Sequence, residues 1–498
     1  MQKVLIVGGG ICGMCAALAL SRKNMQVTVL ERDGPPPEGD ADAAFFDWNR
    51  RGAAQFRHPH AFLGLMCNIL QDNYPDLVEA FWAAGARKVT FDQMLPLALK
   101  EQYIPVEEDK KLWLLMCRRA TIETVLRRYV GAQKNIEIRN DVIVNGVILG
   151  NAEQEGAYPT VKGISIRLSK GESDVSIIEA DIVIDASGRT SQFQAWLAKE
   201  GVEIKEEKEA AEIVYYTRHY QLLPGVEEPS RHREERSAGD LGYLKFGVFP
   251  GDGGNFAVII CLPDGESKLR QAVKNAEQFD EIVSLIPGVL PWVSKDKSRA
   301  TTPPFGFSDI HAVWKHFVSD GKPQVLNFFA VGDAAVRTNP LYGRGCSISA
   351  LHAHILADVL EEIKDPIERA LIYEARTEEK IRPIYKASLN EDRQGIQRAK
   401  AIVEGRIFDK ANTFKKWLRL AIGDAVGAAA REQIHVLRGA MRTFNLLEKP
   451  GDFLSEWPIR LTLMRYMLKG REQNAKARYQ PGPSRSEMIE LVDKNRDK

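Results

Sequence analysis

The sequence predicts an α/β fold in three parts: a parallel sheet layered with helices, a separate antiparallel sheet, and a helical C-terminal region. Three observations carry this expectation. A strand, a glycine turn, a helix and a second strand follow one another between Lys3 and Leu30, and such a βαβ unit implies a parallel sheet. Strand-like stretches Ile213–Leu223 and Tyr243–Leu262 come later, the second folded about Pro250-Gly-Asp-Gly-Gly-Asn255, which signals an antiparallel hairpin. After about residue 365 the pattern is mostly helical.

The 498 residues amount to about three domains at roughly 150 residues each. Hydrophobic residues make up 44% and charged residues 27%, which excludes a disordered, collagen-like or coiled-coil chain. The 68 basic residues balance 67 acidic ones, so no nucleic-acid partner is expected. Six cysteines without framework spacing point to a reducing compartment, hence a cytoplasmic location. No apolar run reaches the ~18 residues of a membrane span. The run Val4–Leu20 imitates a secretory signal, but Gly8, Gly9, Gly10 and Gly13 split it and Val27–Leu30 completes a second strand. It reads as the start of a fold.

Taken in order, Lys3–Val7 is a β-branched strand, Ile11–Ser21 an Ala- and Leu-rich helix, and Gln26–Leu30 the next strand. Gly34-Pro-Pro-Pro37 leaves this unit through a loop. Arg119–Val130 reads as a helix with Ile122, Val125, Leu126 and Tyr129 on one face. Ile136–Ile148 and Ile177–Ala186 read as strands, Val325–Val331 as a buried strand, and Cys346–Ile363 as a helix. In the hairpin, Tyr243, Phe249, Phe256, Val258 and Ile260 alternate with Leu244, Phe246, Val248, Ala257 and Ile259. Both sets are apolar, so one face should pack on the protein while the other lines a hydrophobic pocket. A sheet buried on both faces is the alternative. Residues 410–498 hold 18 basic and 10 acidic residues, +8 locally. They read as a solvated helical face, with membrane-surface or partner docking as the rival.

Gly8-Gly-Gly10-Ile-Cys-Gly13 is G-x-G-x-x-G between a strand and a helix. The first glycine permits the tight turn, the second lets a pyrophosphate approach backbone N–H groups, and the third lets helix and strand pack closely. The helix N-terminus offers the positive end of its dipole. Glu31 closes the next strand 18 residues beyond Gly13, followed by Arg32, where an acid can accept ribose hydroxyls. Cys12 and Cys15 form a C-x-x-C inside this helix and read as small packing residues. A Rossmann-like dinucleotide site is the expectation.

Two later motifs resemble those of one family. Val183-Ile-Asp185-Ala-Ser-Gly188-Arg189-Thr-Ser191 and Phe329-Ala-Val-Gly332-Asp333-Ala-Ala are similar to motifs of the class A flavoprotein monooxygenases, which have the p-hydroxybenzoate hydroxylase fold. With the glycine fingerprint, the resemblance spans residues 3–345. It implies FAD as cofactor, with Asp333 on the ribitol and the Asp185–Gly188 turn near FAD and the nicotinamide donor. Ser187 is a departure from the usual motif. The segment Pro340-Leu-Tyr-Gly343-Arg-Gly345 resembles the loop beside the isoalloxazine, leading into a helix that faces it. Cys117-Arg-Arg119-Ala-Thr-Ile-Glu123 resembles the segment whose arginine contacts the FAD phosphate or ribose. Glu123 aligns Arg119 better than Arg118, and Val142 resembles the strand position at the adenine.

Gln55-Phe-Arg57-His58-Pro-His60 and the tail Gly482–Glu487 resemble a subgroup that includes bacterial polyene and squalene-type epoxidases. This makes Gln55, Arg57 and His58 flavin-side candidates. A metal site on His58 and His60 is not expected, because no third ligand cluster accompanies them. Flavin halogenases share the fold but carry W-x-W-x-I-P. Trp48, Trp82, Trp113, Trp457 and the remaining tryptophans lack that context.

The resemblance implies an α/β chain with a Rossmann-like FAD-binding domain (1–75, 103–212 and 323–364), a second antiparallel-sheet substrate domain (76–102 and 213–322) and a helical C-terminal region (365–498). The implied activity is insertion of one oxygen atom of O2 into a lipophilic or aromatic substrate by epoxidation or hydroxylation, through a C4a-hydroperoxyflavin. NADH or NADPH would supply electrons, directly or through a flavin reductase. An FAD-dependent prenyl reductase of the geranylgeranyl reductase type, and a non-catalytic flavin-binding interaction protein, are the alternatives.

Overall fold

The computed structural model describes residues 2–150, 158–169, 175–406, 411 and 413–496. The elements that position the site begin with β1 (Lys3–Val7), α1 (Ile11–Ser21), β2 (Gln26–Leu30), α2 (Arg119–Gly131), β3 (Ile136–Arg139) and β4 (Ile182–Asp185). The substrate-side strands are β5 (Ile213–Leu222), β6 (Lys245–Pro250) and β7 (Asn255–Pro263). They are followed by β8 (Phe328–Ala330), α3 (Gly345–Glu362), α4 (Arg382–Val403), α5 (Phe414–Glu432), α6 (Ile434–Phe444), α7 (Trp457–Leu468) and α8 (Arg485–Arg496). The strand expected over Val325–Val331 is shorter, because Asn327 turns through a left-handed φ of 59° before it.

Five parallel strands form one sheet in the order β8-β4-β1-β2-β3. Their cores are continuous apolar runs such as Val4-Leu5-Ile6 and Val183-Ile184, as expected of strands covered on both faces. α1 and α3 pack on this sheet through Met14, Leu18, Ile348, Ile355 and Leu356.

The second sheet is antiparallel. β6 and β7 pair with Phe246 opposite Ile260 and Phe249 opposite Ala257, and β5 adds on the other side of β7. Residues directly opposite across an antiparallel pair share a face, so the grouping expected from alternation is corrected here. Phe249 lies with Ala257 and Ile259, while Phe246 and Val248 lie with Phe256, Val258 and Ile260. The latter face packs in a core with Phe279, Ile282 and Trp292 from short helices behind it, and with Met488 and Val492 of α8. The sheet is apolar on both sides for two different reasons.

Sheets cross the domain limits expected from sequence. Arg87–Thr90 pairs with Trp113–Cys117, and Lys205–Ala210 pairs with His311–His316. The turn between β6 and β7 reaches the parallel-sheet layer through Asp252, which accepts from Arg118 Nε at 2.9 Å and Thr121 Oγ1 at 2.9 Å. Among the described residues no helix is long and apolar enough to cross a membrane.

Candidate active site

The three fingerprint glycines are required for three distinct reasons. Gly8 has φ of +110°, and a methyl group there would lie 2.5 Å from the Ala186 carbonyl oxygen. A methyl on Gly13 would lie 1.9 Å from the Gly8 carbonyl oxygen, so this contact sets how closely α1 meets β1. A methyl on Gly10 would meet nothing within 4 Å. Gly10 instead faces a cavity of about 790 Å³, together with Gly8, Ile11 and Cys12. No side chain caps the N-terminus of α1, so its first N–H groups are available to an anion.

Glu31 also lines this cavity. Its carboxylate accepts from Gly9 N–H at 2.8 Å and Asp33 N–H at 2.9 Å, and it contacts Arg50 at 3.1 Å and Arg127 at 3.2 Å. Arg50 bridges onward to Asp33 at 2.9 Å and Glu123 at 2.8 Å. Burial opposes the Glu123 charge, but Arg119 and Arg50 outweigh it and bring the pKa down to about 2. This buried network holds the acidic end of β2 rigid. Arg50 and Arg127 have no motif around them, and sequence reasoning missed both.

Arg119 reaches the cavity wall, where its Nε donates to Glu123 at 2.6 Å and its Nη1 lies 2.8 Å from His60 Nε2. Arg118 is turned toward Asp252 and Asp42 instead. His60 Nδ1 lies 2.9 Å from the His58 carbonyl oxygen. A carbonyl only accepts and a guanidinium only donates, so His60 is the neutral Nδ1–H tautomer. Burial, then Arg119, pushes its pKa down to about 3.

His58 lines the cavity, with Nδ1 2.8 Å from Thr217 Oγ1 on β5. Burial, with His219 and Arg119, lowers its pKa to about 4. Gln55 lines the cavity too. Arg57 does not: it packs over the Phe45 and Phe56 rings and donates to the Phe46 carbonyl. It therefore does not stand in the cavity wall, where the flavin-side expectation put it.

At the opposite wall stand Asp333, Pro340, Gly343 and Gly345. The Asp333 carboxylate makes no hydrogen bond among the described residues, and burial raises its pKa. Gly343 is left-handed, with φ of +66°, and ends the turn that delivers the uncapped N-terminus of α3 to the cavity. This loop is tied to α4: Asn339 Nδ2 donates to Asp392 at 2.6 Å, Tyr342 Oη donates to the same oxygen at 2.9 Å, and Arg344 Nη1 donates to Ser388 Oγ at 2.7 Å.

Arg32, Val142 and Gly188 also line the cavity, whereas Gly13, Asp185 and Gly332 do not. Asp185 forms the turn expected near FAD from behind the wall, while Ala186, Ser187 and Gly188 face the cavity. It is buried and accepts from Ser187 N–H at 3.0 Å and from the Ser187 and Ser191 hydroxyls, each at 2.5 Å. A methyl on Gly332 would strike Cys12 and Ser349 at 2.6 Å, so this glycine sets a close approach behind the wall.

The cavity continues to the second sheet, where Tyr215, Gly247, Phe249, Ile259, Cys261 and Phe307 line it. The C-terminal region completes the wall with Phe444, Arg478 and Gln480. Gln480 N–H donates to the Asp240 carbonyl at 2.9 Å, and a methyl on Gly239 would lie 2.1 Å from Gln480 Cγ. Arg478 is held by Asp424 at 2.6 Å. Among the described residues one group of metal-ligand type, His316, Glu374 and Glu378, has atoms within 4.8 Å of one another. It lies away from the cavity wall, and His316 Nε2 is already bonded to Glu207 at 3.0 Å.

These residues fit FAD. The uncapped α1 and open Gly10 suit its diphosphate, the Glu31 carboxylate suits a ribose, and the carboxylate of Asp333 suits the ribitol.

Known proteins similar in sequence or fold include flavin-dependent ones. Residues 3–117 match the family model described as DAO, FAD dependent oxidoreductase. "Protein Rv3254" of Mycobacterium tuberculosis is 24% identical over 375 residues, covering 72% of this chain and 72% of that protein. Among solved structures, the flavin-dependent brominase Bmp2 matches with a TM-score of 0.60 and 15% identity, over 95% of this chain and 99% of its own. The p-nitrophenol 4-monooxygenase PnpA from Pseudomonas putida matches with a TM-score of 0.55 and 17% identity, over 90% of this chain and 100% of its own. At such identities the structural likeness is one of fold. The N-terminal segment is thus similar to FAD-dependent oxidoreductases, and the whole is built on a fold shared with flavin-dependent enzymes.

Proposed function

We propose that the chain is a monooxygenase that transfers one oxygen atom of O2 to a lipophilic or aromatic substrate, with epoxidation the form best supported. The observation that carries this reading is the continuity of one cavity from the Gly10 loop, past Asp333 and the α3 N-terminus, to the apolar face of Phe249, Ile259 and Phe307. Bound FAD, once reduced by NADH or NADPH directly or through a reductase, supplies the activation of O2. The chain's own residues bind, orient and exclude water. Gly10 and the α1 N–H groups take the diphosphate, Asp333 and Glu31 take hydroxyls, and the sheet face holds the substrate dry.

Three titratable groups on the substrate side, His58, Tyr215 and Cys261, are displaced from the range useful for proton transfer near pH 7. His58 stays neutral with a pKa of about 4. Burial pushes the Tyr215 phenol up, and raises the Cys261 thiol to about 12. Hydroxylation of a phenol benefits from a base poised near the working pH, whereas oxygen transfer to a carbon–carbon double bond requires none. Halogenation lacks support, because the W-x-W-x-I-P context is absent from the sequence.

The test is to reduce the purified protein with NADH, NADPH or dithionite and then follow O2 uptake with a panel of lipophilic alkenes and phenols. Epoxidation predicts a product heavier by one oxygen atom. A product heavier by two hydrogens without O2 uptake would assign a prenyl reductase. Failure of every donor to reduce the flavin would leave a flavin-binding protein without turnover.

A further inference from the structure

The exposed face of α7 is apolar and basic at once. Trp457 is 64% exposed, Leu461 41%, Met464 55% and Leu468 89%. Their spacing of four, three and four residues sets them on one narrow stripe of the helix. The opposite face, through Ile459, Leu463 and Tyr466, is buried against Ala425, Ala429 and Val436 of α5 and α6. α7 is therefore a folded helix that still presents an apolar line outward. Isolated exposed hydrophobics are ordinary, but four in register are not.

Cations flank this line on both sides. Arg460 lies on one flank and Arg465 and Lys469 on the other, and no acidic residue occurs from Trp457 to Arg471. Lys469 also contacts Glu432 at 3.4 Å. A second patch repeats the composition at the start of α5, where Phe414 (75% exposed) stacks on Trp417 beside Lys415, Lys416 and Arg419. Phe444 of α6 is 41% exposed and also lines the cavity, so the helical region carrying these patches also borders the substrate end.

We propose that α7 docks the protein on an anionic phospholipid surface, with Trp457, Leu461, Met464 and Leu468 entering the headgroup–acyl boundary and Arg460, Arg465 and Lys469 at the phosphates. Apolar residues and cations on one helix face match this solvent on both counts. A second copy is a poorer occupant. A two-fold contact through the stripe would bring the flanking cations of one copy against those of the other.

The test floats the full-length protein with phosphatidylcholine vesicles, with and without phosphatidylglycerol. Flotation is expected with the anionic vesicles, weakening as salt rises. Met464→Glu with Leu468→Glu, and separately Arg460→Glu with Arg465→Glu, should each reduce it roughly tenfold or more, with flavin content and melting temperature unchanged. Absence of flotation, equal flotation with neutral vesicles, or variants that float like the wild type would overturn the proposal. A wild-type dimer that dissociates in the Met464→Glu, Leu468→Glu variant would also overturn it and assign the face to a second copy. The readout is lipid binding, so its failure leaves the oxygenation reading to its own experiment.

Discussion

His60 Nε2 accepts a hydrogen bond from Arg119 Nη1 at 2.8 Å, so a histidine is held neutral by an arginine in the wall of the cavity. The pattern recurs. Burial lowers the pKa of His58 and His219 to about 4, and of His352 to about 3. In the unfolded chain these imidazoles take up protons near pH 6.5, while the folded protein resists until pH 3–4. Stability should be fully present above pH 6.5 and fall as pH drops below it, by up to about 1.4 kcal/mol per pH unit for each histidine. Urea unfolding at pH 7, 6 and 5 measures this; a flat midpoint would contradict the neutral assignment.

Asp392 should behave in the opposite sense. Burial raises its pKa to about 6 although Asn339 and Tyr342 both donate to it. Its stabilising contribution is complete below the ordinary carboxylate pKa and is lost as pH rises through 6. Asp392→Asn should therefore stabilise the protein at pH 7 by about 1–3 kcal/mol and have little effect near pH 4. Paired denaturation curves at the two pH values check the sign.

Gly10→Val and Gly13→Ala should separate binding from folding. The space beside Gly10 is open, so the valine variant should fold with near wild-type stability yet bind no FAD. The alanine at position 13 meets backbone at 1.9 Å and should cost about 3 kcal/mol or more of stability. Thermal melts of the apo-proteins followed by FAD titration distinguish the two.

Asp333→Ala should weaken FAD binding by about 1.5–3 kcal/mol, roughly 10- to 150-fold, through loss of a charge-assisted hydrogen bond. With the cofactor less firmly seated, more of the consumed O2 should appear as H2O2. Wild-type affinity together with a wild-type ratio of peroxide to product would remove Asp333 from the site.

Glu31→Ala is a poor probe of ribose binding, because it would take from the buried Arg127 its carboxylate partner, at about 3–5 kcal/mol. Glu31→Gln retains the shape and should weaken FAD binding by about 1–3 kcal/mol with a smaller loss of stability. Titrating both apo-variants with FAD by fluorescence, alongside their melts, tests that order.

The parts legible in the sequence were those whose mechanics are local. β1, α1 and β2 begin and end where strand pattern, glycine turn and helix pattern place them, because every determinant lies within 30 residues. The Phe249 face was misread because alternation along one strand says nothing of register with the next, which the Pro250–Asn255 turn decides. Asp185 and Arg57 sit in recognisable motifs, yet Ser191 captures one and the rings of Phe45 and Phe56 the other. Gln480 was beyond reach, since nothing near it in sequence announces that Gly239 lies beneath it.

That crossing of Gln480 over Gly239 fixes an order of events during synthesis. Every residue placed here on the cofactor end, from Gly8 to Ser349, precedes the crossing by more than a hundred positions. A ribosome adding about 5–20 residues per second therefore exposes that end, open toward the sheet, for several seconds before its last wall exists. A proteolytic cut between residues 444 and 480 in the finished protein should return it to that unroofed state, retaining the yellow colour but losing shelter at the substrate end.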